Sequence, residues 1–271
     1  MGNVDNVLVR GGGLAPARPM IYGFHLSAQG ARAQSTKLDV IANNLANTGT
    51  TAFKKALAVF QDNRPYDREY GSDTEPPGGL NESTGGITVA DVVTDHAQGS
   101  LTETGGTLDV AISGHGYFQV VDAQGRRFLT RNGSFTIDAA GELRVQGSGN
   151  QVLNPDGEPL RIDPAGGEVR IAADGRILQT GKDVGRLGLF SPASPEKLRP
   201  VGNSLYLAEG PVGTAPDSVQ VRQGMLEASG TNSIQEMMAL IETSRAFESN
   251  VNMIRYQDES MAQLLRSLSR R

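Results

Sequence analysis

The chain has 271 residues, 38% hydrophobic and 20% charged, enough for one large domain or two modest ones and too apolar for a disordered chain. A formal net charge of −5 without a basic stripe excludes the usual nucleic-acid footprint, and the lack of Cys excludes disulfides, thiolate metal sites and cysteine nucleophiles. With 34 Gly and only 5% aromatic residues, the composition suits a sheet-rich body with many tight turns.

Residues 1–19 read as a disordered extension. Their short apolar cluster is broken by Asp5 and Asn6, whereas a cleavable secretory signal needs about 7–15 continuous apolar residues. Gly11–Gly13 have neither strand nor helix around them and cradle no phosphate. No segment approaches the roughly 20 apolar residues of a membrane span, so membrane insertion is not expected. Export, if it occurs, needs a route without a cleaved signal.

Residues 20–61 hold an N-terminal helix and the start of an arm. Ile21, Ala28, Ser35 and Ala42 recur at seven-residue steps, and Phe24, Ala31, Leu38 and Leu45 repeat the spacing three residues later. Together they form an a/d seam of roughly 40 Å at about 1.5 Å per residue. Asn47-Thr48-Gly49 is the expected stop. Residues 62–86, with Pro65, Pro76, Pro77 and five Gly, read as an arm.

Residues 87–228 change period from about 3.5 to 2 and read as a β domain. Expected strands are Leu108–Ile112, Tyr117–Val121, Arg127–Arg131, Ser134–Ile137, Glu142–Val145, Glu168–Ile171, Arg176–Gln179, Gly185–Phe190, Ser204–Ala208 and Val219–Gln223. Gln124-Gly125, Asn132-Gly133, Asp156-Gly157 and Asp174-Gly175 mark tight turns, and Glu209–Asp217 reads as a loop.

Residues 229–271 hold a second helix. Leu240, Phe247, Ile254, Met261 and Leu268 sit seven apart, and Met237, Ser244, Val251, Asp258 and Leu265 precede each by three, a seam of roughly 50 Å. Ser233-Ile-Gln-Glu236 has the form of a capping box. Each seam is too narrow for a globular core and right for one partner helix, the other terminus first. The expected fold is mainly β, a central antiparallel β domain flanked by terminal helices that pair as a coiled coil. An ordinary intramolecular hairpin fits the pattern too, but Ile41, Met238 and Ile241 lie beside the seams and need cover, which self-association supplies.

No catalytic motif occurs: H-E-x-x-H, G-x-S-x-G and the P-loop are all absent. His115, between Gly114 and Gly116, reads as a turn rather than an exposed base. Asp91, Asp95 and His96 match no ligand spacing. No enzyme activity, cofactor or metal is expected.

Four ordered motifs resemble the flagellar basal-body rod family, which is related to the flagellar hook protein. They are Leu38-Asp-Val-Ile-Ala-Asn-Asn-Leu-Ala-Asn47 with Thr51-Ala-Phe-Lys54; Leu108-Asp-Val-Ala-Ile-Ser-Gly-His-Gly-Tyr-Phe118; Phe128-Leu-Thr-Arg-Asn-Gly-Ser-Phe135 with Gly141-Glu-Leu143; and Gly224-Met-Leu-Glu-Ala-Ser-Gly-Thr-Asn232 with Arg245-Ala-Phe-Glu248. The family motif falls on Asn43, Asn44, Asn47, Phe53, Lys54, Asp109, Gly114, Gly116, Phe118, Arg131 and Gly133. The resemblance covers about Met20 to Ser269, and residues 1–19 depart from it as an addition before the usual start.

What the resemblance implies is a subunit of the rod that acts as drive shaft between motor and hook. The distal rod comes first and the proximal rod second, and a hook-type axial subunit is the alternative. Its expected partners are copies of itself, other rod and hook subunits, the flagellar type III export apparatus and the rings around the rod. The resemblance further implies terminal helices that form an inner tube and fold on assembly. A secreted β-rich adhesin is the reading from a different class, and the scarcity of aromatics speaks against it.

Overall fold

The first helix runs further toward the N-terminus than its apolar spacing requires. In the computed structural model, which describes residues 18–62, 86–216 and 218–269, helix α1 spans Arg18–Ala46, with Pro19 in its first turn. Residues 1–17 and 63–85 lie outside the described residues, and with them most of the expected extension and arm.

Polar side chains stop α1. The Asn47 amide donates to the Asn43 carbonyl at 2.9 Å and the Thr48 hydroxyl to the Leu45 carbonyl at 2.9 Å, so orphan carbonyls of the last turn find donors. Asn44, only 1% exposed, reaches past the turn and bonds both backbone groups of Ala56, each at 2.9 Å. One asparagine thereby sets the chain's direction as it leaves the helix.

Helix α2 spans Ser233–Leu268. Its cap corrects the expected capping box. Asn232 is the capping residue, its side-chain oxygen accepting from the Ile234 amide at 3.0 Å, while Ser233 is already helical. Glu236 pairs instead with Lys55 at 2.5 Å, because a buried carboxylate gains more from an ammonium than from one amide.

The chain divides into two units, residues 1–35, 60–89 and 244–271, and residues 36–59 and 90–243. In the first, α1 and α2 meet at glycines: Gly23 faces Gln257 and Gly30 faces Asn250. Seven-residue steps taken in opposite directions make the two segments antiparallel.

The second unit is the β body. Its nine-stranded sheet runs in the order Leu198–Gly202, Leu205–Ala208, Arg127–Thr130, Tyr117–Val121, Gln151–Val152, Leu143–Val145, Phe135–Ile137, with Leu189–Pro192 paired to Tyr117–Val121 and Val212–Thr214 paired to Leu189–Pro192. Val169–Ile171, Arg176–Gln179 and Lys182–Arg186 form a separate antiparallel sheet. Two further antiparallel pairs bring distant chain together, Gln220–Gln223 with Val110–Ser113 and Met225–Glu227 with Leu101–Glu103. Alternation along Tyr117–Val121 sends Phe118 and Val120 into the larger core and Tyr117 into a smaller one with Leu129, Phe190, Leu198 and Tyr206.

Three expectations are corrected. The single strand Gly185–Phe190 is two strands, Lys182–Arg186 and Leu189–Pro192. The break falls at Gly188, whose amide donates to the Leu153 carbonyl and whose Cβ would lie 2.8 Å from that oxygen. The loop Glu209–Asp217 contains a strand, Val212–Thr214, paired with Leu189–Pro192. The helix-and-arm region 20–61 ends in a strand, Ala56–Asp62, paired with Ile87–Thr94.

Gly133 shows why one motif position admits no side chain. A Cβ there would sit 1.7 Å from the Val110 carbonyl oxygen, against a chain to which Gly133 is already bonded. Gly133→Ala should therefore destabilise the β body by about 3 kcal/mol or more, as overpacking that forces the backbone apart does. Equilibrium urea unfolding followed by circular dichroism measures it; a loss under about 1 kcal/mol would mean the contact relaxes freely.

Candidate functional site

Four stretches of chain converge in the second unit on one buried ionic cluster. The segment after α1 brings Lys54; the strand Met225–Glu227 brings Glu227; the residue after Arg127–Thr130 is Arg131; and the approach to Leu101–Glu103 brings His96 to Gly99. The Lys54 ammonium lies 2.5 Å from Glu227 Oε1 and donates to the Ala97 carbonyl at 2.6 Å. Both side chains are 1% exposed. The same carboxylate oxygen accepts the Gly99 amide at 2.9 Å, and the other faces Arg131 Nη1 at 3.4 Å.

Arg131 is itself 1% exposed. It donates to the Gly114 carbonyl at 2.7 Å and lies 5.0 Å above the Tyr117 ring, a cation–π arrangement. The Tyr117 hydroxyl bonds His96 Nδ1 at 3.0 Å, and Tyr206 closes the aromatic wall 5.4 Å from the His96 ring. Two cations therefore share one carboxylate, with a tyrosine face and backbone carbonyls making up the balance.

Burial pushes the Lys54 ammonium below its ordinary value of 10.5, with Glu227 pulling the other way. Burial pushes the Tyr117 and Tyr206 phenols up. His96 is held below 6.5, first by burial and then by the positive charge of Lys54, with Asp95 opposing. A neutral imidazole can accept the Tyr117 hydroxyl; a protonated one cannot, and it would add a third cation to the cluster.

The segment carrying Lys54 is fastened on both sides. The Ala52 amide donates to the Glu227 carbonyl at 2.8 Å with Ala52 at φ 55°, and the Gly230 amide donates to the Phe53 carbonyl at 2.8 Å. Ser204 adds a bond to the Thr51 carbonyl at 3.0 Å. Further along the motifs, Asp109 accepts from the Thr104 hydroxyl at 2.6 Å and its carbonyl from the Gly224 amide at 2.8 Å. Phe118 packs edge-on against Phe135, and the Gly116 backbone lies against Val219.

The motif residues Lys54, Gly114 and Arg131 thus meet in this cluster, the Phe53 carbonyl holds the chain beside it, and Asn43, Asn44 and Asn47 build the turn that leads into it. Asp109, Gly116, Phe118 and Gly133 shape the strands behind it. Sequence reading assigned no role to Glu227 or His96. The signal for Glu227 was present, as the only acid within Gly224-Met-Leu-Glu-Ala-Ser-Gly-Thr-Asn232.

The helix positions fall in two groups. On α2, Leu240, Phe247, Val251 and Ile254 are half-buried, whereas Met237, Met261, Leu265 and Leu268 are exposed, Leu265 by 66%. On α1, Ala28, Ala31, Leu38 and Leu45 are half-buried, Phe24 and Ala42 are exposed, and Ile41 and Ala33 are buried; the Ile21 side chain lies outside the described residues. Glu236 and Thr243 are the buried residues of α2, both polar.

The cluster is sealed from water and ties distant chain segments together, a structural role within the fold. Comparison with known proteins identifies the family. Residues 25–54 match the family described as flagella basal body rod protein, residues 111–179 the flagellar hook protein FlgE/F/G D1 domain, and residues 222–267 the flagellar basal body rod FlgEFG protein C-terminal. The flagellar basal-body rod protein FlgF of Caulobacter vibrioides is 36% identical over 236 residues, 85% of this chain and 89% of that protein. FlgG of Buchnera aphidicola subsp. Schizaphis graminum is 33% identical, covering 90% and 99%, and FlgG of Bacillus subtilis 32%, covering 91% and 98%. The chain belongs to the flagellar basal-body rod protein family of FlgF and FlgG type, whose members are structural proteins and not enzymes. Among the described residues, no helix is long and apolar enough to cross a membrane.

Glu227→Gln should cost about 3–5 kcal/mol of stability, since it leaves two buried cations without their counter-ion. The double variant Lys54→Met, Glu227→Gln should cost less than Glu227→Gln alone, and urea midpoints decide the order. For His96, the folded value lies below the unfolded 6.5, so its contribution to stability is full above pH 6.5 and is lost as pH falls through the folded value. His96→Gln should flatten the fall in urea midpoint between pH 7.5 and 5; an unchanged slope would remove His96 from the acid response.

Proposed function

We propose that this chain is a structural subunit of the bacterial flagellar basal-body rod, polymerising through its terminal helices into the shaft between motor and hook. The observation that carries the reading is the convergence of all four family motifs on the Lys54–Glu227–Arg131 cluster, which anchors the roots of α1 and α2 to the β body. The distal position is favoured by the stretch 62–86 after the first helix, and the proximal position is second, on Val184-Gly-Arg-Leu187. The partners are further copies of the chain, other rod and hook subunits, the type III export apparatus that delivers it, and the surrounding rings.

In this reading the two helices pair as a coiled coil. The half-buried positions of α2, Leu240, Phe247 and Ile254, serve the pairing within one chain. The exposed apolar positions Met237, Met261, Leu265 and Leu268, with Ile234, Met238 and Ile241 beside them, serve contacts between chains. A lone rod subunit leaves such side chains in water; a polymer covers them.

Phe247→Asp and Ile254→Asp should each abolish assembly while the β body keeps its unfolding midpoint. Electron microscopy and sedimentation read the first, near-ultraviolet circular dichroism the second. A charged variant that still built rods would sink the helix-seam reading. Deleting the gene and imaging the basal bodies that remain would separate distal from proximal placement.

A further inference from the structure

The glycines of α1 are placed where helix propensity argues against them. Glycine is the poorest helix former after proline, yet Gly23 and Gly30 stand seven residues apart inside a helix of 29 residues. Each faces an amide side chain of α2. A Cβ at Gly23 would lie 3.0 Å from Gln257 Nε2, and one at Gly30 would lie 3.2 Å from Asn250 Nδ2 and 3.3 Å from Asn250 Oδ1. The missing side chains are the notches into which the amides fit.

The amides belong to a polar row. Glu236, Thr243, Asn250 and Gln257 recur at seven-residue steps, and every one is buried or half-buried. They alternate with Leu240, Phe247 and Ile254 along the covered stripe of the helix. The part of α2 that is shielded within the chain is thus half apolar and half polar. Gln257 Oε1 is buried without a hydrogen-bond partner among the described residues.

An all-apolar seam tolerates a slip of one heptad, because each apolar side chain meets another of its kind; a polar residue within the seam penalises the slipped states. Here a slip one way sets Asn250 against Lys37 and Gly23 against Leu264, and a slip the other way sets Gly30 against Thr243, so each slip leaves one notch without its amide. We infer that Gly23 with Gln257 and Gly30 with Asn250 form a two-notch key that fixes the antiparallel register of α1 against α2, the apolar series supplying adhesion but not alignment. This rests on the helix pairing proposed above and names the residues that select its register.

The chain lacks cysteine, so a disulfide reporter has no background. In the full chain carrying Gly23→Cys and Gln257→Cys, mild oxidation should give an intramolecular crosslink visible as a mobility shift. Adding Gly30→Leu should lower the crosslink yield about fivefold or more, since the leucine overfills the notch. Adding Asn250→Ala to that variant should restore most of the yield by making room for the leucine. No crosslink in the reporter chain, an unchanged yield with Gly30→Leu, or a loss that Asn250→Ala does not restore while the β body stays folded would each overturn the key. Sedimentation of the same variants keeps the two ideas apart: rods built by a Gly30→Leu chain that still crosslinks would overturn the key alone, whereas rods built by Phe247→Asp would overturn the helix-seam reading.

Discussion

The rest of the second unit depends on one buried carboxylate. Glu227 holds Lys54 from the segment that follows α1, Arg131 from the central sheet and the Gly99 amide from the strand approach, so groups 96 to 173 residues away along the chain close on a single side chain. A buried ion cluster of this kind adds little net stability compared with a well-packed apolar core, because desolvation offsets most of the attraction. Its effect lies in specificity. Apolar side chains at these positions would tolerate several placements of the segment, whereas an ammonium and a guanidinium without their carboxylate would be costly in all but one. The flanking bonds of Ala52, Gly230 and Ser204 hold the same placement from the backbone side.

Much of the β body was legible in the sequence because turn chemistry and period-2 alternation are local. Tyr117–Val121 and Arg176–Gln179 fall where alternation put them, each bounded by a glycine turn. The strands that escaped are short or begin outside that alternation. Val212–Thr214 lies between prolines and exists because Leu189–Pro192 offers it an edge. Ala56–Asp62 is exposed along most of its length and has no buried face to announce it. In both cases the partner strand, and not the sequence of the strand itself, decides the structure.

The ionic cluster was half legible. Lys54 and Arg131 stand inside recognisable motifs, but nothing local says that a lysine is buried; burial becomes readable only once its counter-ion is placed beside it. Glu227 lies 173 residues from Lys54, and that separation hides the pair from any windowed reading. His96 gave a weaker signal still, since a lone histidine near two aspartates suggests a ligand more readily than a partner for a tyrosine hydroxyl. The capping residue of α2 was missed for a simpler reason. Ser233 and Asn232 are both good caps, and the choice between them follows from Glu236, which is drawn away to Lys55.

The helices carry the most instructive departure. Two rows flank the Leu240, Phe247 and Ile254 series on α2, one three residues before it and mostly apolar, the other three residues after it and polar. A rule that maximises buried apolar area selects the first; the fold buries Glu236 and Thr243 of the second, while the first has Val251 half-buried and Met237 and Leu265 in water. The inversion is coherent if the two faces answer to different partners. On the proposed pairing, alignment within a chain comes from glycine notches and amides, since the β body already holds the roots of both helices. On the proposed assembly, association between chains has no covalent tether and draws on apolar area, which Met237, Met261 and Leu265 leave exposed. A subunit with its apolar row turned inward would form a tighter monomer with less surface left to build from.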